Sequence, residues 1–444
     1  VTTQILLAST LYGAATLAAA LDAGCFGAAD RRILLVSNNA AVPETTPAPD
    51  VAPGFAALRD RFDEVLSWNA TISPFHPSGW VPRPEDAVLW ERHLRLAWGL
   101  GDDDVELAVE SIQAQPALGV TQIFTGAPVT VYADGLMSYG PTRIKLDPLV
   151  GTRVTRLLHL DLVPGLRPLL LTEFQVPAEL VPTDAFRKVL DELADHEELP
   201  GLPRGAALLL GQYLSALDIL TPDEEEALHL RMVRGAVALG HRSLVFKPHP
   251  TAPAAWHRAV QDEAERLGAE LTVLDLPVLA EVLFRRIRPA LVVGCFSTAL
   301  LTASALHGLP VARTGTTLLL DRLTPYQNSN RIPVTVVDAL LPDLGDADAV
   351  REQRPGTTAE ELGELVTAVG YAMQAKIHPS LRPVAARFLG AHQDERWLRY
   401  FKRRRLASLG LPGGLPSGLS FLPDNRLARR MVRRARQVRR AVRR

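Results

Sequence analysis

Short apolar runs, each followed by a helical pattern, recur in two blocks along this chain, and a proline-rich passage separates the blocks. That alternation constrains the fold more than any other feature. Short, almost wholly apolar strands with helices between them are buried on both faces, which is the signature of a parallel, doubly wound α/β sheet. In the first block the strands fall at residues 5–9, 33–37, 65–68, 105–109 and 129–132. A helix is expected over 14–23, and another over 84–100, where Val88, Leu89, His93, Leu96 and Ala97 recur at helical spacing. The second block has strands at 206–210, 243–246, 271–274 and 290–293, with helices between them. Thr221 with Glu224 forms a capping box ahead of one of these helices, and Pro222 suits its first position.

With 444 residues, two or three domains are expected. The expected division is an N-terminal Rossmann-like domain over 1–165, a linker over 166–204, and a second Rossmann-like domain over 205–380. A C-terminal helix over 381–409 and a flexible link with an arginine-rich tail over 410–444 follow. The linker rests on prolines 164, 168, 177, 182 and 200. Two such domains enclose a cleft, and the carboxyl ends of their strands are where ligands bind.

The net charge is −1, so the body of the molecule is no general polyanion binder. Cys25 and Cys295 are the only cysteines, which argues against a disulfide framework or a zinc site and for a reducing compartment. The apolar stretch 5–21 has no basic residue ahead of it, and Ser9-Thr10-Leu11-Tyr12-Gly13 divides it, so it is expected to be a first strand and helix rather than a signal peptide. No stretch reaches the roughly 18 uninterrupted apolar residues of a membrane span.

Three segments carry chemistry. Lys247-Pro248-His249-Pro250 leaves a strand end with a cation and an imidazole together, suited to holding and protonating a phosphate. Gly294-Cys295-Phe296-Ser297-Thr298 passes from strand to helix, Gly294 allowing a tight turn, and offers two hydroxyls beside unpaired backbone N–H groups. Asp134-Gly135 follows the strand at 129–132 and places a carboxylate where it can take a proton from a hydroxyl. Each has a plain structural alternative: a satisfied histidine, a helix N-cap pair, an Asp-Gly turn. His76, His93, His159 and His307 have no accompanying motif and are assigned structural places.

The ordered set resembles the bacterial sialyltransferase and polysialyltransferase superfamily, and most closely its α-2,8-polysialyltransferase-like branch. That superfamily carries two acids before a glycine, then a His-Pro pair, then a Ser-Ser/Thr pair. Here they stand as Ala133-Asp134-Gly135, His249-Pro250 and Ser297-Thr298, with Tyr132, Leu136-Met137-Ser138-Tyr139 and Lys247-Pro248 as flanks. Ser9-Thr10-Leu11-Tyr12 is similar to the family's first loop. The resemblance implies a two-domain GT-B fold, a CMP-activated sialic acid donor and inverting transfer without metal or other cofactor. It implies that His249 binds and protonates the departing phosphate, with Lys247, Pro250, Gly294, Ser297 and Thr298 on the donor side. The acidic motif supplies the base, and Ser9, Thr10, Tyr12 and Gly135 lie on the acceptor side. Ala133 occupies the first acid's place, so the base is Asp134 or lies elsewhere, or the protein binds without efficient transfer. Gln212, which also leaves a strand end, and Glu281 are further donor-side candidates.

The C-terminus differs from the rest. Leu427, Met431, Val432, Ala435, Val438 and Val442 recur at helical spacing among arginines, the pattern of a basic amphipathic helix on anionic lipid. The expectation is therefore a glycosyltransferase acting on a surface glycan or glycolipid, cytoplasmic and peripheral on the inner face of the membrane, with no specific nucleic-acid partner. The rivals are a catalytically degenerate, tethered CMP- or glycan-binding protein, and a GT-B enzyme for another nucleotide sugar.

Overall fold

The computed structural model describes residues 1–196, 199, 201–249 and 254–415. Pro250 and the arginine-rich tail lie outside the described residues.

Twelve named strands form two wholly parallel sheets. The first contains β1 (Thr2–Ala8), β2 (Arg31–Val36), β3 (Glu64–Ser67), β4 (Asp104–Glu110), β5 (Val129–Ala133), β6 (Val154–His159) and β7 (Ala178–Leu180), in the order β3-β2-β1-β4-β5-β6-β7. The second contains β8 (Ala207–Leu210), β9 (Ser243–Lys247), β10 (Glu270–Val273), β11 (Leu291–Gly294) and β12 (Val311–Arg313), in the order β10-β9-β8-β11-β12. Each sheet starts in its middle, winds outward, then crosses back to the other side. Each therefore has a switch point, between β1 and β4 in one and between β8 and β11 in the other. This is the pair of doubly wound lobes expected of a GT-B fold.

The sequence explains the elements directly. In β1, Ile5, Leu6, Leu7 and Ala8 are all fully buried, because helices cover both faces. Thr10 starts the Leu11–Asp22 helix as its N-cap, its hydroxyl accepting from Gly13 N at 2.8 Å. The capping box of Thr221 and Glu224 forms as expected on the Pro222–Ala238 helix.

Residues 166–204 do more than connect the lobes. They contribute β7 to the first sheet and the helix Thr183–His196, which buries Phe186, Val189, Leu190 and Leu193. This helix packs on the Leu11–Asp22 helix of one lobe and the Ala280–Ile287 helix of the other. Arg285 of the second lobe reaches it by ion pairs to Asp191 (3.3 Å) and Asp195 (3.0 Å). The apolar spacing at 186, 189, 190 and 193 is a helical stripe that the surrounding prolines obscure. Further on, Gln374 at the end of the Ala359–Gln374 helix donates to Arg143 O at 2.8 Å, so the C-terminal region returns to the first lobe. Instead of one helix over 381–409, three short ones form: Arg382–Ala391, Glu395–Leu398 and Arg403–Ser408. Asp394 accepts from Trp397 N at 3.2 Å and starts the middle one afresh. Among the described residues no helix is long and apolar enough to cross a membrane.

Candidate active site in the interlobe cleft

On the first lobe the site is built where β1, β4 and β5 end. Ser9 N donates to Glu110 Oε2 at 3.4 Å, tying together the loops that diverge at the switch point. Glu110 lies in register with Tyr132 of β5. Strand alternation puts Glu110, Tyr132 and Asp134 on one face, the face covered by the Leu11–Asp22 helix. Tyr132 donates its hydroxyl to Leu7 O at 2.9 Å. The helix comes close because residue 13 is glycine: a Cβ there would stand 3.0 Å from Tyr132 Oη and 3.5 Å from Asp134 Oδ2.

Burial shapes the charges at this edge. It pushes the Asp134 carboxyl above the usual range. It pushes Glu110 up to about 7, with the neighbouring Asp134 charge adding to the shift and hydrogen bonds from Ser9 opposing it. Ala133 takes no part. It packs with Val129, Val131 and Leu157 in the apolar core on the opposite face of the sheet. Glu110 was missed from sequence, although the signal was there: an acid directly follows the strand expected at 105–109, as Asp134 follows its own strand.

On the second lobe the site is built where β8, β9 and β11 end. β8 lies between the other two, so His249 and Ser297 leave strand ends about 10 Å apart. Gln212, after β8, spans part of that interval, its Oε1 accepting from Phe296 N at 3.0 Å. The ring of Tyr213 lies 6.2 Å from that of His249 and 5.8 Å from Trp256. His249 is exposed at its imidazole. Desolvation, and then the charge of Lys247, hold its pKa below the usual histidine value. Lys247 is half-buried and its ammonium is pushed down by burial, while Glu281 and Asp275 pull it back up. Glu281 is buried and its carboxyl is raised by that burial, with its own backbone N–H, the Thr302 hydroxyl and Lys247 all opposing.

The Ser-Thr segment departs from expectation in one detail. Gly294 is the last residue of β11, in register with Arg313, and does not make the turn. It leaves room for Leu300, whose Cδ1 would lie 3.3 Å from an added Cβ. Ser297 caps the helix Thr298–Leu301, its Oγ accepting from Ala299 N at 3.3 Å. That helix passes into a π turn over Thr302–Leu306, and the helical run reaches His307.

The two edges meet. A Cβ on Gly135 would lie 3.3 Å from Thr298 Oγ1 of the other lobe. Tyr12 Oη lies 3.4 Å from Thr302 Oγ1, a second contact across the cleft. Thus Ser9, Tyr12, Asp134 and Gly135 stand on one side. Gln212, Lys247, His249, Glu281, Ser297 and Thr298 stand on the other. Thr10 is exposed and serves as the cap described above. One edge offers a cation, an imidazole and hydroxyls, which suit an anion; the other offers two carboxyls, which suit removal of a proton from a hydroxyl. Among the described residues no group of three or more His, Cys, Asp or Glu could hold a metal ion.

Residues 4–316 match the family model described as alpha-2,8-polysialyltransferase. No curated protein matches the chain. Among solved structures, MurG of Acinetobacter baumannii is similar at 12% identity and a TM-score of 0.41, covering 88% of this chain and 99% of that one. The GT-B domain of a Photobacterium damselae sialyltransferase is similar at 12% identity and a TM-score of 0.40, covering 75% of this chain and 95% of that one. A Photobacterium 2,6-sialyltransferase, in complex with CMP and lactose, is similar at 11% identity and a TM-score of 0.36, covering 75% of this chain and 74% of that one.

Proposed function

The chain belongs to the alpha-2,8-polysialyltransferase family, and from that premise we propose that it transfers sialic acid, or a related nonulosonic acid, from a CMP-activated donor to a glycan or glycolipid hydroxyl. The observation that carries the reading is the approach of Gly135 to Thr298. It sets the carboxylate segment of one lobe against the hydroxyl segment of the other, leaving the anion-binding and proton-accepting groups on facing sides.

The chemistry assigned to the residues is as follows. The acceptor oxygen attacks the donor's anomeric carbon, and the bond from that carbon to the CMP phosphate oxygen breaks with its electron pair. Lys247, Ser297 and Thr298 hold the phosphate. His249 protonates the departing oxygen. Before donor binding the imidazole has a lowered pKa, and the negative charge of the bound phosphodiester raises it again, so the proton is gained when the donor arrives. Asp134 accepts the acceptor's proton. Attack from the face opposite the phosphate inverts the configuration.

The competing reading, a binding protein without turnover, starts from Ala133. The inward packing of Ala133 and the presence of Glu110 weaken it, since a second acid stands at this edge from a different strand.

Work at an anionic membrane belongs to the same reading. Beyond Asp424 the chain has arginines and no acid. The first lobe adds an independent feature. On the Ala87–Ala97 helix, Val88 is 74% exposed, Leu89 66% and Leu96 75%, and Arg92 and His93 are exposed between them. Glu91 lies off this face, paired with Arg95 at 3.0 Å. An exposed apolar face carrying Arg92 and His93 suits lipid headgroups.

The deciding experiment is CMP release from a panel of CMP- and UDP-activated sugars, with and without sialylated acceptors. Release from CMP-sialic acid supports the reading. Tight CMP binding with no release from any donor supports the binding protein, and release from UDP sugars alone replaces the donor.

A further inference from the structure

Glu110 is the acid that the family pattern does not supply. It comes from β4, not from the strand that carries Asp134, yet it shares with Asp134 the helix-covered face of the sheet at the switch point. Its carboxylate accepts from Ser9 N, which holds it at the root of the first loop. The charge acting on it is that of Asp134, with Ser9 hydrogen bonds opposing; the Tyr132 phenol of β5 feels both carboxyls, and Tyr12 on the covering helix feels Glu281 and Asp134. Among the described residues neither Glu110 nor Asp134 has a cation acting on its carboxyl. Two carboxyls in such surroundings do not both ionise readily, because the second negative charge is neither paired nor well hydrated.

We propose that Glu110 and Asp134 form one carboxyl pair that carries a single negative charge in the resting cleft. Glu110 keeps the proton, and Asp134 is the ionised member that faces the acceptor hydroxyl. Glu110 is thus a positioning residue. It rests on the transferase reading above, and it explains how a chain with Ala133 in the acidic motif retains a competent base. When Glu110 also ionises, the added charge strengthens Asp134 as a base. The shift of Glu110 to about 7 puts that second ionisation in the working range.

The test separates the pair from the reaction. Infrared titration of the full chain without donor, wild type minus Glu110→Gln, reads the carboxyl directly. A protonated carboxyl band that disappears between pH 6 and 8, ~2 units above an ordinary glutamate, is the expected result; its absence overturns the pair whatever the protein catalyses. The pH dependence of CMP release then reads the role. Wild type should show a step near pH 7, which Glu110→Gln removes, with a rate roughly tenfold lower above pH 8 and an unchanged acceptor KM. Glu110→Asp should restore the step. A wild-type step that survives in Glu110→Gln overturns the positioning role. A band without CMP release from any donor overturns the transferase reading and leaves the pair standing.

Discussion

Gly135 and Thr298 belong to different lobes, and a single added carbon on the first would come within 3.3 Å of the hydroxyl of the second. The two lobes' motifs thus approach each other at a residue with no side chain to spare. Gly135→Ala should lower kcat/KM for CMP release about tenfold and Gly135→Val further, because the lobes must part or twist to admit the new atoms. The thermal midpoint should stay within a few degrees. Rates equal to wild type in both variants would show that this contact does not set the reacting distance.

His249→Ala and Asp134→Asn should each cut CMP release by ~10²- to 10⁴-fold. Near-ultraviolet circular dichroism should be unchanged, since His249 is exposed and the Asp134 replacement removes a charge that burial opposes. Full activity in either variant would remove its assigned role.

Gln212→Leu tests the strut between the β8 and β11 loops. Phe296 N loses its acceptor, at a cost of about 1–3 kcal/mol. Calorimetric CMP affinity should weaken while the first lobe's hydrogen-exchange pattern is preserved. Unaltered affinity would mean that Ser297 and Thr298 keep their places without it.

Acid stability should depend on His229. Its ring is buried edge-on against Phe246 (5.2 Å) and Trp256 (5.5 Å), and burial pushes its pKa down to about 4. The unfolded chain takes up a proton near pH 6.5 and the folded one only near 4, so stability is lost as pH falls across that window. His229→Phe should raise the thermal midpoint at pH 5 relative to wild type more than it does at pH 7.5. An equal difference at both values would contradict the assignment.

Membrane attachment should have two separable parts. Removing the residues after Asn425 should abolish the salt-sensitive part of binding to anionic vesicles. In the full chain, Leu89→Glu with Leu96→Glu should weaken the binding that persists at 0.5 M salt by roughly tenfold or more. If the truncated chain binds vesicles as wild type does, the tail is not an anchor.

Much was legible before any coordinates. The apolar runs locate strands, because the centre of a parallel strand buried on both faces is apolar, as residues 5–8 in β1, 244–246 in β9 and 291–293 in β11 are. The Thr221 box and the Asp134, His249 and Ser297 positions at strand ends were readable for the same local reasons. The helix Thr183–His196 was hidden by the prolines around it, although its apolar stripe was present.

Glu110 and Ala133 mark the boundary between the two kinds of information. The sequence by itself determined that an acid follows each of two apolar strands, and that one expected acid is alanine, since residue type and local pattern are written in it. Only the tertiary structure decided that the strands carrying Glu110 and Asp134 lie side by side, with both acids on the helix-covered face and Ala133 turned into the opposite core. Strand order depends on long-range crossovers, and a side chain's face depends on the pleat and register of its neighbours; neither is a property of a short stretch of chain.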